Sequence, residues 1–301
     1  MPSPEGASGG GGSVASLAMW SVMVLGSAQD GGLPQFGADT ALDEAARTGA
    51  IPRRFSSSLA VVGDDGRVLL LDAGPDLKAH EEVMATNPAM GRRLDQPPID
   101  GVVITHAHIG HYAGLLHFGR EAYAADAMPC WVTAKMARFL ESEAPWRLAV
   151  EQGHLELRAQ DPPASFNPWA DLSVSLIPVP HRHEASDTVA ISVNGSVLYL
   201  PDIDAWDEWP EAEEVIGAHS TVFLDGTFWS DAELPHRDME AIKHPLVPDT
   251  LERFAHLVPG RRLLVTHLNH TNPICDPASS EHAAVLEAGF EVAIEGLTIR
   301  L

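Results

Sequence analysis

Basic charge is what this chain most lacks. Lys and Arg number 19 against 42 Asp and Glu, a formal net charge of −23 at pH 7, and no Lys or Arg precedes Arg47. So acidic a surface repels a phosphate backbone, which argues against a nucleic-acid partner. Cysteine is nearly absent. Cys130 and Cys275 lie far apart and outside any Cys-x-x-Cys pair. They cannot form a disulfide framework and are read as packing residues, which fits a reducing, cytoplasmic compartment. No apolar run reaches membrane length. Val14–Leu25 is too short to span a bilayer and has no basic flank of the kind a signal peptide carries, so no membrane partner is expected.

The first residues are rich in Gly, Ser and Pro and poor in anything that could build a core. Residues 1–18 are therefore expected to be a disordered tail ahead of one domain over residues 19–301. In that domain, short runs of Val, Leu and Ile end in Gly, Asp or His. Trp20–Leu25, Ser57–Val62, Arg67–Leu71, Gly101–Thr105, Cys130–Thr133, Val174–Val179, Val189–Val193, Ser196–Leu200, Thr221–Leu224, Arg262–Thr266 and Glu291–Ile294 read as strands. Asp64-Asp65-Gly66 and Asn194-Gly195 read as hairpin turns. Helical stretches fall at Leu77–Met84, Tyr112–Phe118, Ala134–Ala144, Asp207–Ala218, Thr250–Leu257 and Ser280–Ala288. Hairpins mixed with helical crossovers imply sheets covered by helices, an α/β or α+β architecture.

The sharpest chemical feature is Thr105-His106-Ala107-His108-Ile109-Gly110-His111, between a strand and a helical run. Residues two apart on an extended segment point the same way, so His106 and His108 can converge, with His111 approaching from the turn. Imidazole suits Zn and also Fe. Three further strands end in potential ligands: Val179-Pro180-His181-Arg182-His183, Pro201-Asp202, and Thr266-His267. Each alone is explained as well by a turn or a cap. Their joint appearance after the histidine triplet points to a metal site at one sheet edge. His244 and His270 are further candidates, with solvated loop positions the alternative. Loop tryptophans 146, 169, 206 and 229 are read as packing rather than pocket walls.

The order Asp72, His106-x-His108-x-x-His111, His183, Asp202, His267 resembles the motifs of the metallo-β-lactamase superfamily. Within it, Val24-Leu25-Gly26-Ser27-Ala28, Pro34-Gln35, Asp225-Gly226-Thr227 and Thr271-Asn272-Pro273 resemble the coenzyme PQQ synthesis protein B branch. The resemblance implies a four-layer αββα sandwich of two mixed sheets flanked by helices. It implies one or two Zn (or Fe) ions. His106, His108 and His183 would hold the first; His111 and His267 would hold a second, with Asp202 bridging. Asp72 would order the His loop. His181 is the rival of His183, which is preferred as nearer the strand Val189–Val193; His181 and His244 are then supporting residues. The superfamily usually has Asp just before the third His. Gly110 stands there, so the second site is expected to be weakened or rebuilt. The branch's Cys cluster is replaced by Phe36-Gly37-Ala38-Asp39, so no structural zinc is expected near the N-terminus. The expected activity is metal-dependent hydrolysis of a small molecule, with Asp202 orienting the attacking water and a histidine, His111 or His270, handling the leaving group's proton. The alternative is an iron-dependent hydroxylase in quinone-cofactor synthesis. A homodimer is left open.

Overall fold

The computed structural model describes residues 19–86, 98–182, 184–235 and 242–301. The expected tail lies outside them, as does His183. The chain forms two seven-stranded mixed sheets. In spatial order, the first holds β14 (Thr298–Arg300), β1 (Trp20–Gly26), β2 (Ser58–Gly63), β3 (Val68–Leu71), β4 (Gly101–Val103), β5 (Met128–Thr133) and β6 (Leu155–Gln160). The second holds β13 (Glu291–Val292), β12 (Arg262–Thr266), β11 (Thr221–Asp225), β10 (Val197–Leu200), β9 (Val189–Val193), β8 (Leu172–Pro178) and β7 (Ala164–Trp169).

The period of two along each strand builds the layers. On β1, Val22 and Val24 face the other sheet while Met23 and Leu25 face helices. On β11, Phe223 points inward and Val222 and Leu224 outward. Three apolar clusters result. The middle one lies between the sheets, with Leu59, Leu71, Tyr199 and Phe223 in it. A second joins the first sheet to α2 (Leu77–Thr86), α4 (Ala134–Ser142) and α5 (Ala144–Glu151) through Met84, Leu140 and Ala149. The third joins the second sheet to α1 (Ala41–Thr48), α6 (Ala212–Gly217), α7 (Val247–Phe254) and α8 (Ser280–Glu287) through Ala46, Ile216, Phe254 and Val285. This is the expected four-layer αββα arrangement. Both anticipated turns close antiparallel pairs, β2 with β3 and β9 with β10.

Strand direction positions the site. β3 and β4 run parallel, as do β10, β11 and β12. β1 is two antiparallel steps from β3, and β8 two from β10, so each points the same way as its second neighbour. The C-terminal ends of β1, β3 and β4 thus share one edge of the first sheet, and those of β8, β10, β11 and β12 one edge of the second.

The elements that went unread in the sequence are instructive. β6 and β7 are edge strands, one with a Glu156–Arg158 ion pair and the other with Pro168, devices that blunt edges and erase the apolar signature. The expected helix Ala134–Ala144 stops at Ser142, because Glu143 is extended ahead of Pro145, which has no N–H for a continuing ladder; a separate helix, Ala144–Glu151, follows. Both cysteines are buried in apolar clusters, which pushes their thiols up to about 12. Trp206 packs edge-on against Phe254 and Trp169 stacks on Trp20, so these two tryptophans serve packing. Among the described residues, no helix is long and apolar enough to cross a membrane.

Phe223 is fully buried between the sheets, flanked in register by Tyr199 and Leu264. Phe223→Ala is expected to cost about 3–5 kcal/mol of stability, because well-packed neighbours on both sides cannot collapse into the void. Chemical denaturation of the two proteins checks this.

Candidate metal centre

The shared edge assembles seven polar side chains from both sheets. Asp72 follows β3, and His106 and His108 follow β4. His111 lies in the short helix α3 (Ile109–Tyr112). His181 follows β8, Asp202 follows β10, and His267 follows β12. His106 and His108 do converge, with ring centroids 4.4 Å apart. His106, His108, His181 and Asp202 each offer an atom within 4.8 Å of the others. Asp202 reaches both halves. Its Oδ2 lies 3.1 Å from His111 Nε2, 3.2 Å from His267 Nε2 and 4.0 Å from His106 Nε2, and its Oδ1 lies 3.5 Å from His181 Nε2. Ligands about 2.1 Å from a common ion stand roughly 3–4 Å from one another, so these spacings suit coordination.

The structure brings His106, His108, His111, Asp202 and His267 together as the sequence suggested. It also brings in His181, to which the sequence reading gave only a supporting place behind His183. His181 Nε2 is 3.2 Å from His108 Nδ1, and its Nδ1 lies 2.9 Å from Asp204 Oδ1. Among the described residues His181 thus occupies the fourth position of the first group. His244, also read as supporting, joins Asp202 and His267 in a third group of potential ligands. His270 belongs to none of these groups. Its Nδ1 donates to the fully buried Asp43 at 2.9 Å.

Carboxylates and hydroxyls behind the rings aim them. Asp72 Oδ1 accepts from the Thr105 N–H at 2.7 Å, and Asp72 Oδ2 accepts from His111 Nδ1 at 2.7 Å. That fixes the His111 proton on Nδ1 and turns Nε2 toward Asp202. Asp225 Oδ2 accepts from His244 Nδ1 at 2.7 Å, and Asp225 Oδ1 accepts from Thr227 Oγ1, which lies 2.9 Å from His267 Nδ1. Asp72 and His267 both hold left-handed backbone, φ 62° and φ 60°, conformations that cost energy for residues with a Cβ. Neither Asp225 nor Thr227 was assigned a role from sequence, although the Asp-Gly-Thr triplet ending β11 was visible. Asp30, on the loop after β1, was missed altogether; with His111 and His267 it makes another ligand group.

The electrostatics suit a cation. Burial, then the surrounding imidazoles, hold His106 and His267 well below the ordinary imidazole value; burial pushes His108 down to about 3 and also lowers His181. These rings are neutral at pH 7, the form that ligates. His111 is opposite. Burial works to lower it, but Asp72 and Asp202 outweigh burial and raise it well above the usual range. Burial raises Asp202, countered by His111. His106 Nε2, His244 Nε2 and Asp202 Oδ2 are buried with no hydrogen-bond partner. Unsatisfied buried donors and acceptors cost about 1–3 kcal/mol each, and a shared ion satisfies them together. The donor set, imidazole with carboxylate, fits Zn²⁺ or Fe²⁺.

Asp72→Asn is expected to keep the fold and the Thr105 contact but to present an amide N–H to His111 Nδ1. The His111 proton then moves to Nε2, which can no longer ligate. Metal affinity should fall by about 10- to 100-fold, read by competition against a chromophoric chelator.

The Beta-lactamase superfamily domain profile matches residues 67–268. The coenzyme PQQ synthesis protein B of Xanthomonas campestris pv. campestris (strain B100) is 30% identical over 311 residues, covering 93% of this chain and 99% of that protein. The crystal structure of Zn²⁺-bound PqqB from Methylobacterium extorquens superposes with a TM-score of 0.80 at 25% identity, covering 93% of this chain and 100% of that one. A diphosphatase of the PhnP family shares the fold, with a TM-score of 0.68 at 22% identity over 94% of this chain and 97% of that one.

Proposed function

The chain belongs to the beta-lactamase superfamily and, within it, to the coenzyme PQQ synthesis protein B family, and from that premise we propose that it is a metal-dependent hydrolase acting on a small molecule. The observation that carries the reading is Asp202. One buried carboxylate stands within 4.0 Å of His106, His111, His181 and His267, which come from both sheets. His106, His108 and His181 with Asp202 would hold one ion, and His111, His267 and Asp202 a second. A divalent ion bound there supplies Lewis acidity, polarising a substrate oxygen and making water nucleophilic near neutral pH.

The chain's own groups do the rest. Asp202 Oδ2, free of hydrogen bonds, can accept a proton from an attacking water and fix its direction. Asp72 and Asp225 hold His111 and His244 in place through their Nδ1 atoms, and Asp204 stands beside His181 Nδ1, so the reacting geometry is set before substrate arrives. Burial works to lower His244, but Asp225 beside it raises it above its usual value, which suits it to give a proton to a leaving group. The net charge of −23 favours a small substrate over a nucleic acid.

The relatives' place in coenzyme PQQ synthesis leaves room for a second reading, iron-dependent hydroxylation of a quinone-cofactor precursor, in which the same residues would hold Fe²⁺. Purified protein loaded with Zn²⁺ or Fe²⁺ and offered lactam, lactone, thioester and phosphodiester substrates, with and without O₂ and reductant, separates the two. Hydrolysis that needs only water supports the first; turnover that needs O₂ and reductant supports the second. His108→Ala is expected to abolish turnover in either case. Failure of the wild-type chain to bind either ion would end both readings.

A further inference from the structure

The loop leaving β1 carries a carboxylate, Asp30, beside the histidines of the centre. Asp30 Oδ1 lies 3.7 Å from His111 Nε2, and Asp30, His111 and His267 present ligand atoms within 4.8 Å of one another. His111 Nε2 and His267 Nε2 are themselves 3.3 Å apart, and both face Asp202 Oδ2. Asp30 and Asp202 thus both stand beside the His111–His267 pair.

Gly110 makes this arrangement possible. Its N–H donates to Asp30 Oδ1 at 2.9 Å. A Cβ added at Gly110 would stand 2.1 Å from that oxygen and 2.7 Å from Asp30 Cα. Those are distances no pair of atoms tolerates, so a side chain at position 110 and Asp30 in its present place exclude each other. Asp30 thus fills the space that a side chain at position 110 would need. Topology brings it there: β1 points the same way as β3, so its exit loop meets the His loop at the same edge.

Resting on the reading of this cluster as a metal centre, the geometry points to Asp30 as the carboxylate ligand that completes a second ion site with His111, His267 and Asp202. The site is rebuilt from the β1 loop rather than lost. Asp30 keeps 31% of its side chain exposed, so it also forms the solvent-facing wall of that site.

The competing explanation is that Asp30 merely caps the first turn of α3. Asp30→Asn distinguishes the two, because the amide oxygen still accepts from the Gly110 N–H while the anionic ligand is gone. Metal-free wild-type protein, Asp30→Asn and Gly110→Ala are each titrated with Zn²⁺, dialysed and analysed for zinc per chain. Wild type is expected to hold two ions. Asp30→Asn is expected to retain one, with affinity for the second reduced by about tenfold or more. Gly110→Ala removes no ligand, yet is expected to lose the same ion by displacing Asp30. Two ions held by Asp30→Asn with wild-type affinity would overturn the assignment, as would a single ion in wild type; both leave the metal-dependent reading intact. No zinc in wild type would overturn that reading and this one with it. Asp30→Asn decides the matter even where Gly110→Ala fails to fold.

Discussion

The Asp72 carboxylate is the constraint on which the rest of the site depends. It is fully buried at the end of β3, and an uncompensated charge there would be prohibitive. Its compensation is the His loop. The Thr105 N–H, the Thr105 hydroxyl and His111 Nδ1 all donate to it. The backbone follows the same logic, with the Ala73 N–H donating to the His111 carbonyl and the Gly114 N–H to the Ala73 carbonyl. The loop after β4 cannot move without stranding a buried charge. Rigidity at the site is therefore a by-product of the folding energetics of β3 and β4, and the left-handed backbone of Asp72 is sustained by the same set of bonds.

The second sheet repeats the device with different residues. Asp225 ends β11 as Asp72 ends β3, and it too is fully buried. It accepts from the Thr227 N–H, from the Thr227 hydroxyl and from His244 Nδ1. Thr227 then passes the constraint to His267, as Thr105 does to His106 through Nδ1. Two carboxylate–threonine–histidine relays, one per sheet, face each other across Asp202. Imidazoles aimed by buried carboxylates are stronger ligands and have a defined tautomer. The cost is a cluster of rings whose burial, and then mutual repulsion, lowers several of their proton affinities, an arrangement of the kind that functional sites hold and a cation relieves.

Much of this is legible in the amino-acid sequence. Strands with strict alternation of core and helix-facing residues, β1, β10 and β11, announce themselves because both of their faces are buried in apolar layers. His106, His108 and His111 are legible because six residues of chain carry three imidazoles. What sequence hides is anything whose meaning comes from another segment. β6 and β7 read as polar because edge strands must be. The choice between His181 and His183, two residues apart on the same loop, depends on how the loop leaves β8, which no pattern records. Asp225 and Thr227 look like an ordinary Asp-Gly-Thr turn until His244 and His267 are seen behind them.

Asp30 is the extreme case. It follows a strand in a loop of Gly, Pro and Gln, and nothing in its neighbourhood marks it. The only sequence signal was negative: Gly110, a ligand position without a side chain, read as a weakness. Sterically that glycine is an entry port, because any Cβ there would occupy the space that Asp30 fills. A substitution to glycine inside a ligand motif therefore carries two opposite meanings, loss of a ligand or admission of one from elsewhere. Sequence order cannot separate them, because the incoming group lies 80 residues away along the chain. Strand direction can. Every segment whose strand ends on the same sheet edge is a candidate donor, and in this fold the loop after β1 is such a segment, pinned across the sandwich by the Gln29 N–H donating to the Leu268 carbonyl beside His267.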